Sequence, residues 1–203
     1  MTKAKAPNYT VIKDTRERDG WFFSPYDKCA GMEVETLHTG DYTLRGFEDV
    51  VCVERKASVT ELANNLGKSK KAFYAEMVRM QDFPFKFLIF EFSFTDVAEF
   101  PLCLLSDEEK EEYFKYLDYK KTTEEEPSLI DEIEEIKRPK IGKRLDIVEQ
   151  TKIKGKYLIK CLVELQVWYD VKIIFCDNKK NAFLVTNSIF KRLNEMFHDK
   201  SKK

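Results

Sequence analysis

Histidine and cysteine are scarce in this 203-residue chain, and both shortages exclude chemistry. His38 and His198 are its two histidines, and neither lies near a serine or cysteine nucleophile in the sequence, so no catalytic triad is indicated. The five cysteines (29, 52, 103, 161 and 176) are odd in number and contain no C-x-x-C pair, which excludes both a disulfide framework and a structural zinc site. Free thiols buried in a reducing compartment are the expectation. Seven glycines and six prolines are too few for a linker, a collagen-like repeat or a low-complexity segment. Apolar runs such as 87–90 and 171–176 fall far short of the roughly 20 residues needed to cross a bilayer. The lysine-bearing N-terminus is not followed by a leader-type apolar stretch. Together these shortages point to an intracellular protein of the cytoplasm or nucleus, a viral protein in a host cell included.

What is present is the composition of an ordinary globular domain, 43% apolar and 35% charged. A chain this long buries roughly 70% of its unfolded surface in one core. The net charge of −1 conceals a segregation. Residues 101–136 hold 13 acidic residues against 4 lysines, whereas the other 167 hold 31 basic against 23 acidic. A basic body attracts polyanions over long range, so a nucleic acid is a permitted partner.

Strand and helix signals alternate along the chain. Tyr9–Lys13 reads as a strand running into the charged loop 14–20. Segments 33–37, 42–44 and 50–55 read as a meander of two or three strands around Gly40-Asp41. Ser58-Val59-Thr60-Glu61 has the pattern of a capping box, which predicts a helix start just after Lys56. Phe73, Met77 and Met80 at helical spacing predict a helix over 69–81, stopped by Pro84, and 85–91 reads as a strand covered on both faces. Helix, strand and helix follow at 156–168, 171–176 and 181–197, and the charged patterns at 106–119 and 124–137 predict helices of an insertion. The expectation is a single α/β domain over 1–203, a mixed sheet flanked by helices, with a charged, mainly helical insertion at 101–154.

One constellation suits catalysis. Glu54 and Lys56 lie two apart on a strand and share a face, and Asp41 approaches Glu54 across the ladder if the two strands pair. Two carboxylates with free positions beside them suit Mg²⁺, and the metal with a lysine suits phosphodiester cleavage. Asp14 and Glu33, at strand ends, offer a third and a fourth carboxylate. Taken alone, Glu-x-Lys at a strand end is a solvated ion pair and Gly-Asp a turn.

The ordered set Val11-Ile12-Lys13-Asp14-Thr15-Arg16-Glu17, Gly40-Asp41-Tyr42 and Val53-Glu54-Arg55-Lys56 resembles the nuclease domain of XPF/Hef-type structure-specific endonucleases. Their signature is GD, a spacer and ERKxxxD, preceded by a V-x-D-x-R-E strand. The resemblance covers 9–95 and 155–197. It implies a restriction-endonuclease-like, PD-(D/E)xK fold and a Mg²⁺ or Mn²⁺ cofactor. It implies Asp14, Asp41 and Glu54 as acidic site residues and metal ligands, and Lys56 as the catalytic lysine. Arg16 is implied as a DNA contact, and Arg55 as a site-organising or DNA-contacting base. The implied reaction is hydrolysis of branched or flapped DNA in repair, recombination or replication, by a homodimer or with a partner subunit. Thr60 stands in place of the last Asp of ERKxxxD, and Glu61 either replaces that Asp or serves only the helix cap. Lys70 and Lys71 are candidate DNA contacts, displaced from the family's basic position. The family's helix-hairpin-helix domain is not recognisable before Lys203. A pseudonuclease that binds DNA or a partner protein is the alternative function, and interception of another protein by the acidic segment is a third.

Two further features each carry two readings. The stretch 137–144 holds five basic residues, of which Lys140, Lys143 and Arg144 are candidate phosphate contacts, or else it balances the acidic segment as a linker. Trp21-Phe22-Phe23 either stacks on unpaired bases or packs beneath its loop.

Overall fold

The computed structural model describes residues 7–125, 127 and 136–198. Its six-stranded sheet comprises β1 (Tyr9–Asp14), β2 (Cys29–Glu35), β3 (Tyr42–Leu44), β4 (Val51–Lys56), β5 (Phe85–Phe90) and β6 (Lys172–Phe175). The strand order is β2-β1-β3-β4-β5-β6. β3 runs antiparallel to β1 and β4, while β2 is parallel to β1, and β5 lies parallel to both β4 and β6. The helices are α1 (Val59–Leu66), α2 (Lys70–Met80), α3 (Phe94–Glu99), α4 (Asp107–Glu125), α5 (Lys143–Gln150), α6 (Gly155–Tyr169) and α7 (Lys179–His198), with a 3-10 turn at Leu102–Leu104. Among the described residues no helix is long and apolar enough to cross a membrane.

β4 and β5 lie inside the sheet, and every residue of β4 is buried, its charged Glu54, Arg55 and Lys56 included. Alternation along β4 then decides which chemistry faces which layer. Val51 and Val53 pack with Tyr42, Phe87 and Ile89 and with Phe190 and Leu193 of α7. Cys52, Glu54 and Lys56 occupy the opposite face, where α1 packs on β4 and the ring of Phe73 from α2 lies 5.5 Å from the Lys56 ammonium. The capping box forms: the Glu61 amide donates to Ser58 Oγ (3.2 Å), and Glu61 Oε2 accepts from the Ala57 amide (2.9 Å).

The meander expected from 33–37, 42–44 and 50–55 holds only in part. β3 and β4 form the antiparallel pair, but β2 begins at Cys29 and runs along the far side of β1, parallel to it, as an edge strand. Its first half is Cys-Ala-Gly, with Gly31 at φ +130 and a register shift opposite Tyr9/Thr10, so neither alternation nor β-branching marks it. The loop 15–28 carries the chain back so that β2 starts level with β1.

By compactness the chain divides into two units, Met1–Phe94 with Tyr157–Lys203, and Thr95–Lys156. The first contains the sheet. The second has its own small core of Leu105, Tyr113, Leu145 and Val148. Its helix α4 extends past the expected 106–119 to Glu125, and most of the helix expected at 124–137 lies outside the described residues. All five cysteines are free, and all but Cys103 are buried.

Candidate active site

Asp41 is fixed by backbone on both sides. Its amide donates to Val53 O (2.8 Å) and its carbonyl accepts from the Asp14 amide (2.8 Å), so β3 begins clamped between β1 and β4. Oδ2 of its side chain then accepts from the Arg55 amide at 2.7 Å. This brings the Asp41 carboxylate to β4 at the level of Glu54 and Lys56. Gly40 makes the approach possible, with φ +77 and no room for a side chain: a Cβ there would lie 2.5 Å from Cys52 Sγ and 3.1 Å from Val53 O. Gly40→Ala is therefore expected to cost about 1–3 kcal/mol of stability. Chemical denaturation measures it, and an unchanged midpoint would contradict the close packing described.

Glu54 and Lys56 are both buried and hydrogen-bonded to each other. Glu61 Oε1 lies 3.6 Å from the same ammonium, so Glu61 serves both the helix cap and Lys56. Burial pushes the Asp41 carboxyl up to about 6 against the lowering effects of Lys56 and the Arg55 amide, while Glu17 and Glu76 add to the rise. Burial likewise drives Glu54 well above the usual carboxylate range, opposed by Lys56 and reinforced by Asp41 and Glu76. For Lys56, burial favours the neutral amine, but Glu54 and Asp41 outweigh it and leave the ammonium more firmly protonated than usual. Two carboxylates thus share one lysine.

Asp14 is held differently. Its Oδ1 accepts from the Arg16 amide (2.7 Å) and Arg16 Nε (2.8 Å), and its Oδ2 from Arg16 Nη2 (2.9 Å) and the Leu37 amide (2.7 Å). Burial opposes ionisation of this carboxyl, but those bonds overcome it and set its pKa below the ordinary value. Arg16 also donates to Leu37 O (2.8 Å), yet its side chain remains 67% exposed. The guanidinium is therefore fixed in direction and open to solvent.

Arg55 points to the other face of the sheet. Nε and Nη2 pair with Glu91 at 2.7 and 2.8 Å, and Nη1 reaches Glu17 at 3.3 Å. Trp21 donates its indole N–H to the same Glu91 (2.7 Å) and stacks on Tyr42 with ring centroids 4.9 Å apart. This buried network ties the loop after β1 to the sheet.

The remaining expected residues lie elsewhere. Glu33, the proposed fourth carboxylate, is paired with Arg45, which also engages Glu35. Lys70 donates to the Tyr157 hydroxyl at 3.2 Å and lies near the Tyr74 and Tyr157 rings, while Lys71 is exposed. In the second unit Arg144 pairs with Glu109, and Arg138 with Asp146 and Glu149, whereas Lys140 and Lys143 are exposed. Arg144 thus pairs with the acidic segment, whereas both partners of Arg138 lie outside it. Three acidic residues were not singled out as site residues from the sequence: Glu17, Glu76 and Glu91. Glu76 falls three residues after Phe73, so the helical spacing that marks Phe73 as inward-facing also turns Glu76 toward Asp41 and Glu54.

The sequence matches the family model described as ERCC4 domain over residues 13–189. The chain belongs to the ERCC4-domain family. This is the XPF-type nuclease family that the Asp14, Asp41 and Glu54-Arg55-Lys56 motifs resemble. Among solved structures, XPF from Aeropyrum pernix superposes with a TM-score of 0.51 at 16% identity, covering 91% of this chain and 61% of that one. The mixed sheet flanked by helices is the XPF nuclease fold. The ERCC4-domain chain thus spans about three-fifths of the solved chain. No curated protein matches the sequence.

The oxygen-only donor set fits a hard divalent cation, Mg²⁺ or Mn²⁺. Two carboxylates, Glu54 buried and Asp41 half-buried, are disfavoured as charges by their surroundings and would each gain from such an ion. Among the described residues no three His, Cys, Asp or Glu side chains form a ready cage. Asp41 and Glu54 are the carboxylates that would contribute to such a site.

Proposed function

We propose that the protein is a divalent-metal-dependent DNA endonuclease that hydrolyses phosphodiester bonds, with branched or flapped DNA as its preferred substrate. The convergence of Asp41, Glu54 and Lys56 on one buried face of the sheet carries this reading. Membership of the ERCC4-domain family supports it and suggests action in repair, recombination or replication, by a homodimer or with a partner subunit. Asp41 and Glu54 hold the cation, which when bound supplies charge neutralisation at the scissile phosphate and a more acidic water. Lys56 stays protonated because of its carboxylate neighbours, so it acts as a fixed cation and hydrogen-bond donor toward the phosphate or the attacking water, not as a base. The four hydrogen bonds on Asp14 suit it to aiming Arg16 at a substrate phosphate. Arg55 organises the site from below through Glu91 and through the amide that holds Asp41.

The test is cleavage of end-labelled linear, flap, fork and four-way DNA with Mg²⁺, Mn²⁺ or EDTA. The account predicts metal-dependent cutting that favours a branched substrate. Tight binding of branched DNA without cutting in either metal would instead assign the protein to the pseudonuclease class.

Protons compete with the cation for the site. Because the Asp41 carboxyl is pushed up to about 6, affinity for Mn²⁺ measured calorimetrically should rise with pH through about 6. A flat profile between pH 5 and 7.5 would contradict ligation by Asp41.

A further inference from the structure

Trp21, Phe22 and Phe23 form an extended segment whose side chains alternate. Trp21 and Phe23 are 2% and 1% exposed, whereas Phe22 is 71% exposed. The two buried rings hold the backbone on either side of the exposed one. Phe23 packs against Tyr42, Phe183 and Phe190. Trp21 stacks on Tyr42, donates its backbone amide to the Tyr42 hydroxyl and donates its indole N–H to Glu91. Lys179 adds a hydrogen bond to Asp19 O, tying the start of the loop to α7. Phe22 is thus an apolar ring presented to water on a rigid mount.

Beside it lies an open cavity of about 500 Å³, lined by Gly20, Trp21, Phe22, Lys179, Lys180 and Phe183. Both charged residues in that lining are lysines. A flat apolar ring next to two ammonium groups matches a ligand with exposed π faces and negative charges between them. A single nucleic-acid strand has both, whereas a duplex hides its base faces in the stack and offers an isolated phenyl nothing to stack on. Through Glu91 the mount connects to Arg55, on the face of the sheet opposite Glu54 and Lys56.

We propose that Phe22, with Lys179 and Lys180, is a stacking platform for an unpaired strand of the DNA substrate. The proposal rests on the nuclease reading and deepens it by assigning where single-stranded substrate is held. The ring of Phe22 takes a base face, and the lysines take the flanking phosphates.

Fluorescence anisotropy with labelled oligothymidine and with a blunt duplex, both in EDTA, tests it on the full chain. Phe22→Ala should weaken oligothymidine binding roughly ten-fold while duplex binding stays within about two-fold. Phe22→Trp should retain the single-strand affinity, and Lys179→Ala with Lys180→Ala should flatten its salt dependence. Unchanged oligothymidine binding by Phe22→Ala, equal losses on both DNAs, or no single-strand binding by the wild type would each overturn the platform. Because EDTA removes any metal from the measurement, none of these results depends on metal binding or cleavage at the candidate active site. Metal-dependent cutting that persists beside any of them would leave the nuclease reading standing.

Discussion

Asp41→Asn should abolish metal-dependent cleavage and, in the same protein, raise the stability of the metal-free fold at pH 7.5 by about 1–3 kcal/mol. The two effects share one cause. The Asp41 carboxyl titrates near 6 because burial penalises its charge more than Lys56 and the Arg55 amide reward it. At pH 7.5 the folded state therefore carries an anion that the unfolded state accommodates more easily. Asparagine removes that charge yet keeps an oxygen to accept from the Arg55 amide, so the clamp between β3 and β4 survives. What is lost is the ligand. Urea denaturation in EDTA beside a cleavage assay in Mn²⁺ reads both effects. A variant that loses cutting because it unfolds would contradict the argument as clearly as one that still cuts.

Glu91→Gln is expected to cost about 3–5 kcal/mol, because it leaves the Arg55 guanidinium buried with its bidentate partner gone. Glutamine can still accept the Trp21 indole hydrogen, so the loop keeps one anchor while the charge balance is lost. Glu17, at 3.3 Å, is too distant to replace a bidentate pair. Replacing both partners, as Arg55→Met with Glu91→Leu, should recover much of that loss, since an apolar pair needs no counter-charge. The denaturation midpoints of the single and double variants decide the point, and a mild effect of Glu91→Gln would show that Arg55 is not held by this pair.

Much of this arrangement was legible in the residues themselves. The alternation in Val51–Lys56 places Glu54 and Lys56 on one face and Arg55 on the other, and Gly40-Asp41 before a short strand leads to the ladder contact that the Arg55 amide makes. Ser58 and Glu61 announce the helix start, and the structure adds the second task of Glu61 beside Lys56. The limits were equally physical. β2 was misplaced because an edge strand that opens with Cys-Ala-Gly carries no periodic signal and its parallel pairing depends on a distant loop. Glu91 is one residue beyond an apolar strand, and its pairing with Arg55 is non-local, so no short pattern reveals it. Trp21-Phe22-Phe23 reads alike from sequence whether stacked or packed, and only the fold separates Phe22 from its neighbours. The sequence marks Asp14 as an acidic site residue, while the structure shows both its oxygens engaged by Arg16 and Leu37.

Calorimetric titration of Mn²⁺ into the wild type, Asp41→Asn and Asp14→Asn at pH 7.5 tests the central claim most directly. The account predicts that Asp41→Asn loses the binding isotherm, while Asp14→Asn keeps the wild-type affinity and loses affinity for DNA through a loosened Arg16. Wild-type Mn²⁺ affinity in Asp41→Asn would contradict the assignment of the metal to the Asp41 and Glu54 carboxylates.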